Sequence, residues 1–169
     1  LEELLRARVL LLGGRFAEAR AMAQLLCVGG PGHERCDLAA AGILVEAVSA
    51  SASSLAAAQP TLTALAPRIG PNVTSRAAAV IRLEAADCSM RARLDGAAES
   101  TRAACALALE HAIAFHGESH PRVAEIRMAY ARALDRARMR DEATAQRTAA
   151  QPIIATVGPQ HPLRARTAR

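Results

Sequence analysis

The sequence predicts an all-α protein, an array of antiparallel helix pairs with about eight helices in all, and three observations predict it. Glycine-led breaks fall at Gly30-Pro31, Gly70-Pro71, Gly117-Glu118 and Gly158-Pro159, at intervals of 40 to 47 residues. The segment from Gly117 to Pro162 opens and closes on nearly one phrase, Gly-Glu-Ser-His-Pro and then Gly-Pro-Gln-His-Pro. Strict apolar-polar alternation and β-branched runs, the marks of strands, are missing from the sequence. Self-similarity at a period near 40 residues is the signature of solenoids in which each helix pair buries its apolar face against the next.

Chain length and composition set bounds on this array. At 169 residues the chain holds one elongated domain of roughly four repeats. The units run over 1–32, 33–71, 72–120 and 121–162, with a tail at 163–169. Trp is absent, and Phe16, Phe115 and Tyr130 are the only aromatics. The core must therefore be thin, with helices approaching closely through small side chains. All 21 basic residues are Arg, and the net charge of +5 favours acidic partners through long-range attraction. The arginines at 122, 127, 132, 136, 138 and 140 fall all round a helical wheel, and no stacking aromatics accompany them, so nucleic acid is not an expected ligand. No apolar run approaches the roughly 20 residues that span a bilayer, and no signal peptide is visible. A first residue of Leu reads as a fragment of a larger protein.

The elements follow in order. Leu1 to Leu12 is a short apolar helix stopped by Gly13-Gly14, where Gly supplies a positive φ. Phe16 opens the next helix, to about Val28, and Ala19 is small where the two must approach. Leu1, Leu4, Leu5 and Leu11 crowd the first helix, and would be exposed unless more repeats or a domain stood before Leu1. After Gly29-Gly30-Pro31-Gly32 a second pair covers about Glu34 to Ala50 and Ser53 to Ala66, with Pro60 kinking the latter or marking its first turn. Val73 to Leu94 is a long helix with two apolar stripes, Ile81, Ala85, Cys88 and Ala92 beside Val80, Leu83, Met90 and Leu94, so it packs on two sides. Asn72 ahead of it matches a glycosylation acceptor and also suits a helix cap. After Asp95-Gly96 a helix runs to about His116 with Cys105, Ala108, Leu109, Ala112 and Phe115 buried. The last pair covers about Pro121 to Ala137 and Asp141 to Val157.

Candidate chemistry is sparse. His116 and His120 are four apart, as helical metal ligands would be, but Gly117 and Pro121 end the helix between them and no third ligand follows. Cys27 and Cys36 lie almost symmetrically about the turn at Pro31, and Cys88 and Cys105 about Asp95-Gly96. Antiparallel helices would bring each pair close, so these are candidate disulfides of an oxidising compartment. The alternative is that all four are small buried hydrophobes, and the compartment then reads as cytoplasmic. No phosphate-cradling loop, nucleophile elbow or isolated carboxylate pair is present, so neither catalysis nor a cofactor is expected.

Gly158, His161 and Pro162, with Val123-Ala124 after the first His-Pro and Asp141-Glu142-Ala143 mid-unit, resemble the tetratricopeptide repeat. The long-unit form of kinesin light chains and of many bacterial signalling proteins is the closer match. Arg138 stands where that family has Gly, and Arg140 where it has Tyr. The resemblance implies a right-handed superhelix and makes the rings of His33, His120 and His161 braces of inter-repeat turns. It further implies a concave groove, lined by the first helix of each pair, that grips a peptide or partner helix. Carried over by position, Leu4, Leu5, Arg8 and Leu12 line it in the first unit, Arg82, Ser89 and Arg93 in the third, and Glu125, Met128, Ala129, Arg132 and Arg136 in the last. Converging arginines would suit a carboxylate or phosphate-bearing peptide; the same arginines could equally be solvated or paired with Glu84, Glu125 and Asp135. The Asn and Lys positions of the family's carboxylate clamp are missing, since Asn72 is the only Asn and there is no Lys. The expectation is a protein-interaction scaffold from a bacterial signalling protein, such as the sensor region of a Ser/Thr kinase. The alternative is a structural array that self-associates, as a homodimer, through its Leu-rich N-terminal helix.

Overall fold

The computed structural model describes residues 2–27, 38–53, 56, 60, 73–158, 161, 163 and 164, and their side chains apart from those of 27, 38, 39, 41, 73–77 and 79. The described residues form an all-α fold with seven helices and no strand: α1 (Glu2–Leu12), α2 (Phe16–Cys27), α3 (Leu38–Ser51), α4 (Val73–Leu94), α5 (Glu99–His116), α6 (Pro121–Arg136) and α7 (Arg140–Thr156). Apart from 53, 56 and 60, the helix expected over 53–66 lies outside the described residues, as do the turn at Pro31, the breaks at Gly70 and Asn72, His33, Cys36 and the side chain of Cys27. Two units divide the chain, Leu1–Ala86 and Asp87–Arg169.

In the first unit α1, α2 and α3 pack on one another. Alanine makes this close packing feasible: Ala7, Ala19, Ala23, Ala40 and Ala47 are all fully buried. The turn from α1 to α2 is a Schellman turn. Gly14, at φ 76, donates its N–H to Leu11 O at 3.2 Å, and the Arg15 N–H reaches Leu10 O at 2.9 Å. The Ala19 N–H then bonds Arg15 O at 3.0 Å as α2 begins. Leu11, expected among the exposed leucines of α1, is buried with Leu10, because α2 and α3 both cover that side of the helix. α3 is buried nearly all round through Ile43, Leu44, Val45, Ala47 and Val48, as an apolar helix without a polar face must be.

In the second unit α6 packs on both α5 and α7. The α6–α7 turn repeats the first one bond for bond. Arg138, at φ 64, donates to Asp135 O at 2.9 Å, the Met139 N–H reaches Leu134 O at 2.9 Å, and the Ala143 N–H bonds Met139 O at 3.1 Å. Leu10, Gly14, Arg15 and Ala19 thus correspond one for one to Leu134, Arg138, Met139 and Ala143. Ala131, Leu134 and Ala143 form a buried cluster, with Tyr130 and Met139 packed against it.

The α4–α5 hairpin is closed by other means. Cys88 and Cys105, both fully buried, form a disulfide with their Cα atoms 4.7 Å apart. Its turn occupies residues 95–98: the Ala98 N–H reaches Asp95 O at 3.3 Å and Thr101 Oγ1 donates to the same carbonyl at 2.7 Å, so α5 starts at Glu99. Of the residues expected to be buried in α5, Cys105, Ala108, Leu109 and Ala112 are, but Phe115 is 41% exposed. It sits in the last turn, where its ring meets His116 edge-on at 4.8 Å.

Candidate functional site

The expected groove residues of the second unit lie on α4 and α6. Ser89 is half-buried and Arg93 exposed on α4; Glu125 and Met128 are half-buried and Arg132 and Arg136 exposed on α6. The structure brings Arg93 and Arg136 together through a specific bond: Arg136 Nη1 donates to the Arg93 carbonyl at 2.6 Å. A guanidinium at the C-terminal end of α4 satisfies a carbonyl that the helix leaves without a partner and sits at the negative end of its dipole. Room for this comes from Gly96. A β-carbon there would meet the Arg136 side chain and would stand 2.9 Å from Ala92 O. Arg132 is one turn before Arg136 on the same helix.

Two of the carboxylates weighed as partners for these arginines pair with other arginines. Glu125 pairs with Arg122 at 2.7 Å, and Asp135 with Arg147. Arg147 was not named in the sequence and Arg122 was placed only on the helical wheel, although Arg122 stands three residues before Glu125 and that spacing alone suggests the pair. Arg127 Nη1 also ties α6 to α7 by donating to Gln146 Oε1 at 2.9 Å.

The remaining groove residues belong to the first unit. Arg8 is exposed on α1. Arg82 is half-buried and lies across α3 at Gly42, where a β-carbon would come within 2.8 Å of its Nη1. A bulkier residue at 42 would push that side chain aside. In the same unit the exposed Arg15 and Glu18 form a double hydrogen bond at 2.6 and 2.5 Å, and that bond holds the Glu18 carboxyl below its ordinary range.

His120 and His161 brace turns. Gly117, at φ 81, ends α5, with its N–H on Ile113 O at 2.8 Å. His120 precedes Pro121, the first residue of α6, and its Nδ1 accepts the Arg122 N–H at 3.1 Å. That is the capping bond of a helix N-terminus, made by imidazole in place of a hydroxyl or carboxylate. His161 does the same: its Nδ1 accepts the Leu163 N–H at 3.2 Å. The backbone agrees, since His120 N–H bonds Gly117 O at 3.3 Å and His161 N–H bonds Gly158 O at 3.0 Å. Leu163 is buried, and Arg164 Nη2 donates to Ala155 O at 3.1 Å near the end of α7. The rings of His116 and His120 stack at 4.1 Å, and among the described residues no three His, Cys, Asp or Glu side chains are grouped as metal ligands. No helix among the described residues is long and apolar enough to cross a membrane.

The chain matches no protein-family model, no curated protein and no solved structure.

Proposed function

We propose that this chain is a tetratricopeptide-type interaction module that holds an acidic peptide or partner helix against α4 and α6, as a regulatory or sensor part of a signalling protein. Support for the repeat reading comes from hydrogen bonds that recur in register: the α1–α2 and α6–α7 turns share one pattern, and the His120 and His161 loops share another. The left-handed Arg138 adds to it, since that position is where the family has Gly. The observation that carries the binding reading is the Arg136–Arg93 carbonyl bond, which ties an arginine of α6 to the end of α4 beside Arg93 and one turn from Arg132. Guanidinium groups so placed can take a carboxylate bidentately, and each such bond carries both charge and direction. The disulfide supports an oxidising compartment for the working protein.

The test is fluorescence anisotropy with a labelled Asp/Glu-rich peptide and a Lys-rich control, on the wild-type chain and on Arg93→Gln/Arg132→Gln/Arg136→Gln. The proposal predicts binding of the acidic peptide alone and a loss of at least about tenfold in the triple variant at unchanged helicity. Equal binding of both peptides, or no change in the variant, would sink it.

A further inference from the structure

We propose that the Cys88–Cys105 disulfide sets the binding competence of the α4 and α6 arginines, so that the chain takes its acidic ligand only in the oxidised state; this rests on the groove reading above. The anchor there is exacting. Arg136 Nη1 meets the Arg93 carbonyl at 2.6 Å, and the same side chain passes so close over Gly96 that an added β-carbon would meet its Cδ. A displacement of the α4 end by about 1 Å would carry that bond past ordinary hydrogen-bond range. The arginines therefore keep their arrangement only while the last turns of α4 are held in place relative to α6.

α6 packs on α5, and the α4–α5 hairpin carries the end of α4 to it. The turn of that hairpin lacks both devices that hold the α6–α7 turn. Residues 95–98 have no positive φ, and Gly96, Ala97 and Ala98 have no side chain long enough for the apolar contact that Met139 makes. Thr101 Oγ1 on the Asp95 carbonyl and Arg102 Nη1 on the Ala97 carbonyl, at 2.8 Å, fasten the turn itself to α5. The disulfide ties the helices beyond it: Cys88 precedes Asp95 and Cys105 follows Ala98 by about two helical turns each. Apart from Leu109, the buried residues three and four positions from the cysteines are small, Ala85, Ala92, Thr101 and Ala108, so few side-chain atoms interlock there to replace the bond. It forms by thiol–disulfide exchange. The thiolate of one cysteine attacks the disulfide of a small or protein oxidant, the second thiolate displaces the mixed disulfide, and the oxidant leaves as two thiols that carry off the two electrons and two protons. Both cysteines are fully buried in the closed hairpin, which shields them from further exchange, so the state is set while the chain folds and is then held.

The experiment uses the full chain carrying Cys27→Ala/Cys36→Ala, so that only the Cys88–Cys105 pair responds, refolded with oxidised glutathione or with a phosphine reductant. The probe is the labelled Asp/Glu-rich peptide, and helicity is followed alongside. The reduced chain should bind at least about tenfold more weakly than the oxidised chain at retained helicity, and reoxidation should restore the affinity. Cys88→Ala/Cys105→Ala should match the reduced chain under either condition. In Arg136→Gln, where the anchor is already gone, reduction should cost less than about twofold more. Equal affinity of the oxidised and reduced chains, an Arg136→Gln chain that still loses tenfold on reduction, or a loss that accompanies unfolding of the helices overturns the proposal and leaves the groove reading standing. No binding by the oxidised chain overturns the groove reading itself, and this inference with it.

Discussion

The α1–α2 and α6–α7 turns carry the same bonds on different residues. The first reads Gly14, Arg15, Phe16 and the second Arg138, Met139, Arg140. In the first, glycine takes the left-handed position without steric cost, Arg15 is exposed and Phe16 is half-buried. In the second, an arginine is held at φ 64, a conformation that disfavours any residue with a β-carbon by about 1–2 kcal/mol. What offsets this is Met139, half-buried against Leu134 and Ala143, the apolar contact that commonly accompanies such a turn. The difference teaches that the backbone path is imposed by the pairing of helices that bury Ala19 and Ala143, with either Gly or Arg taking the left-handed position.

The largest test concerns the hairpin that departs from this pattern. No residue of the α4–α5 turn has a positive φ, and the Cys88–Cys105 disulfide closes it across 17 residues. Cys88→Ala/Cys105→Ala should lower unfolding free energy by about 3 kcal/mol in urea titration. A loss below about 1 kcal/mol would mean that this hairpin is held by packing alone, like the other two. The histidine loops give a smaller effect. His120→Ala and His161→Ala should each lower stability by about 1 kcal/mol, with Asn at either position restoring most of it. A response at one loop and not the other would break their equivalence.

Much of the fold was legible because its punctuation is chemical. Val73–Leu94 falls where Asn72 and Asp95-Gly96 bound an uninterrupted apolar pattern, and Gly13-Gly14 and Gly117 end their helices as glycine does. The candidate groove residues were less legible. Spacing places Arg82 and Arg136 on helix faces, but it does not reveal that Arg82 lies over Gly42 or that Arg136 bonds the Arg93 carbonyl, because both depend on a second helix. Phe115 was misjudged for a related reason: the apolar period assigns it to the buried stripe, yet the stripe ends before the last turn does.

The equivalence of the two turns is the claim on which the repeat reading rests, and reciprocal substitution with thermal and urea unfolding tests it most directly. Arg138→Gly should raise stability by up to about 1 kcal/mol by relieving the left-handed strain, and Gly14→Arg should lower it by about the same amount. Shifts of opposite sign and similar size are the predicted result. Destabilisation by Arg138→Gly, or no response to Gly14→Arg, would contradict the account.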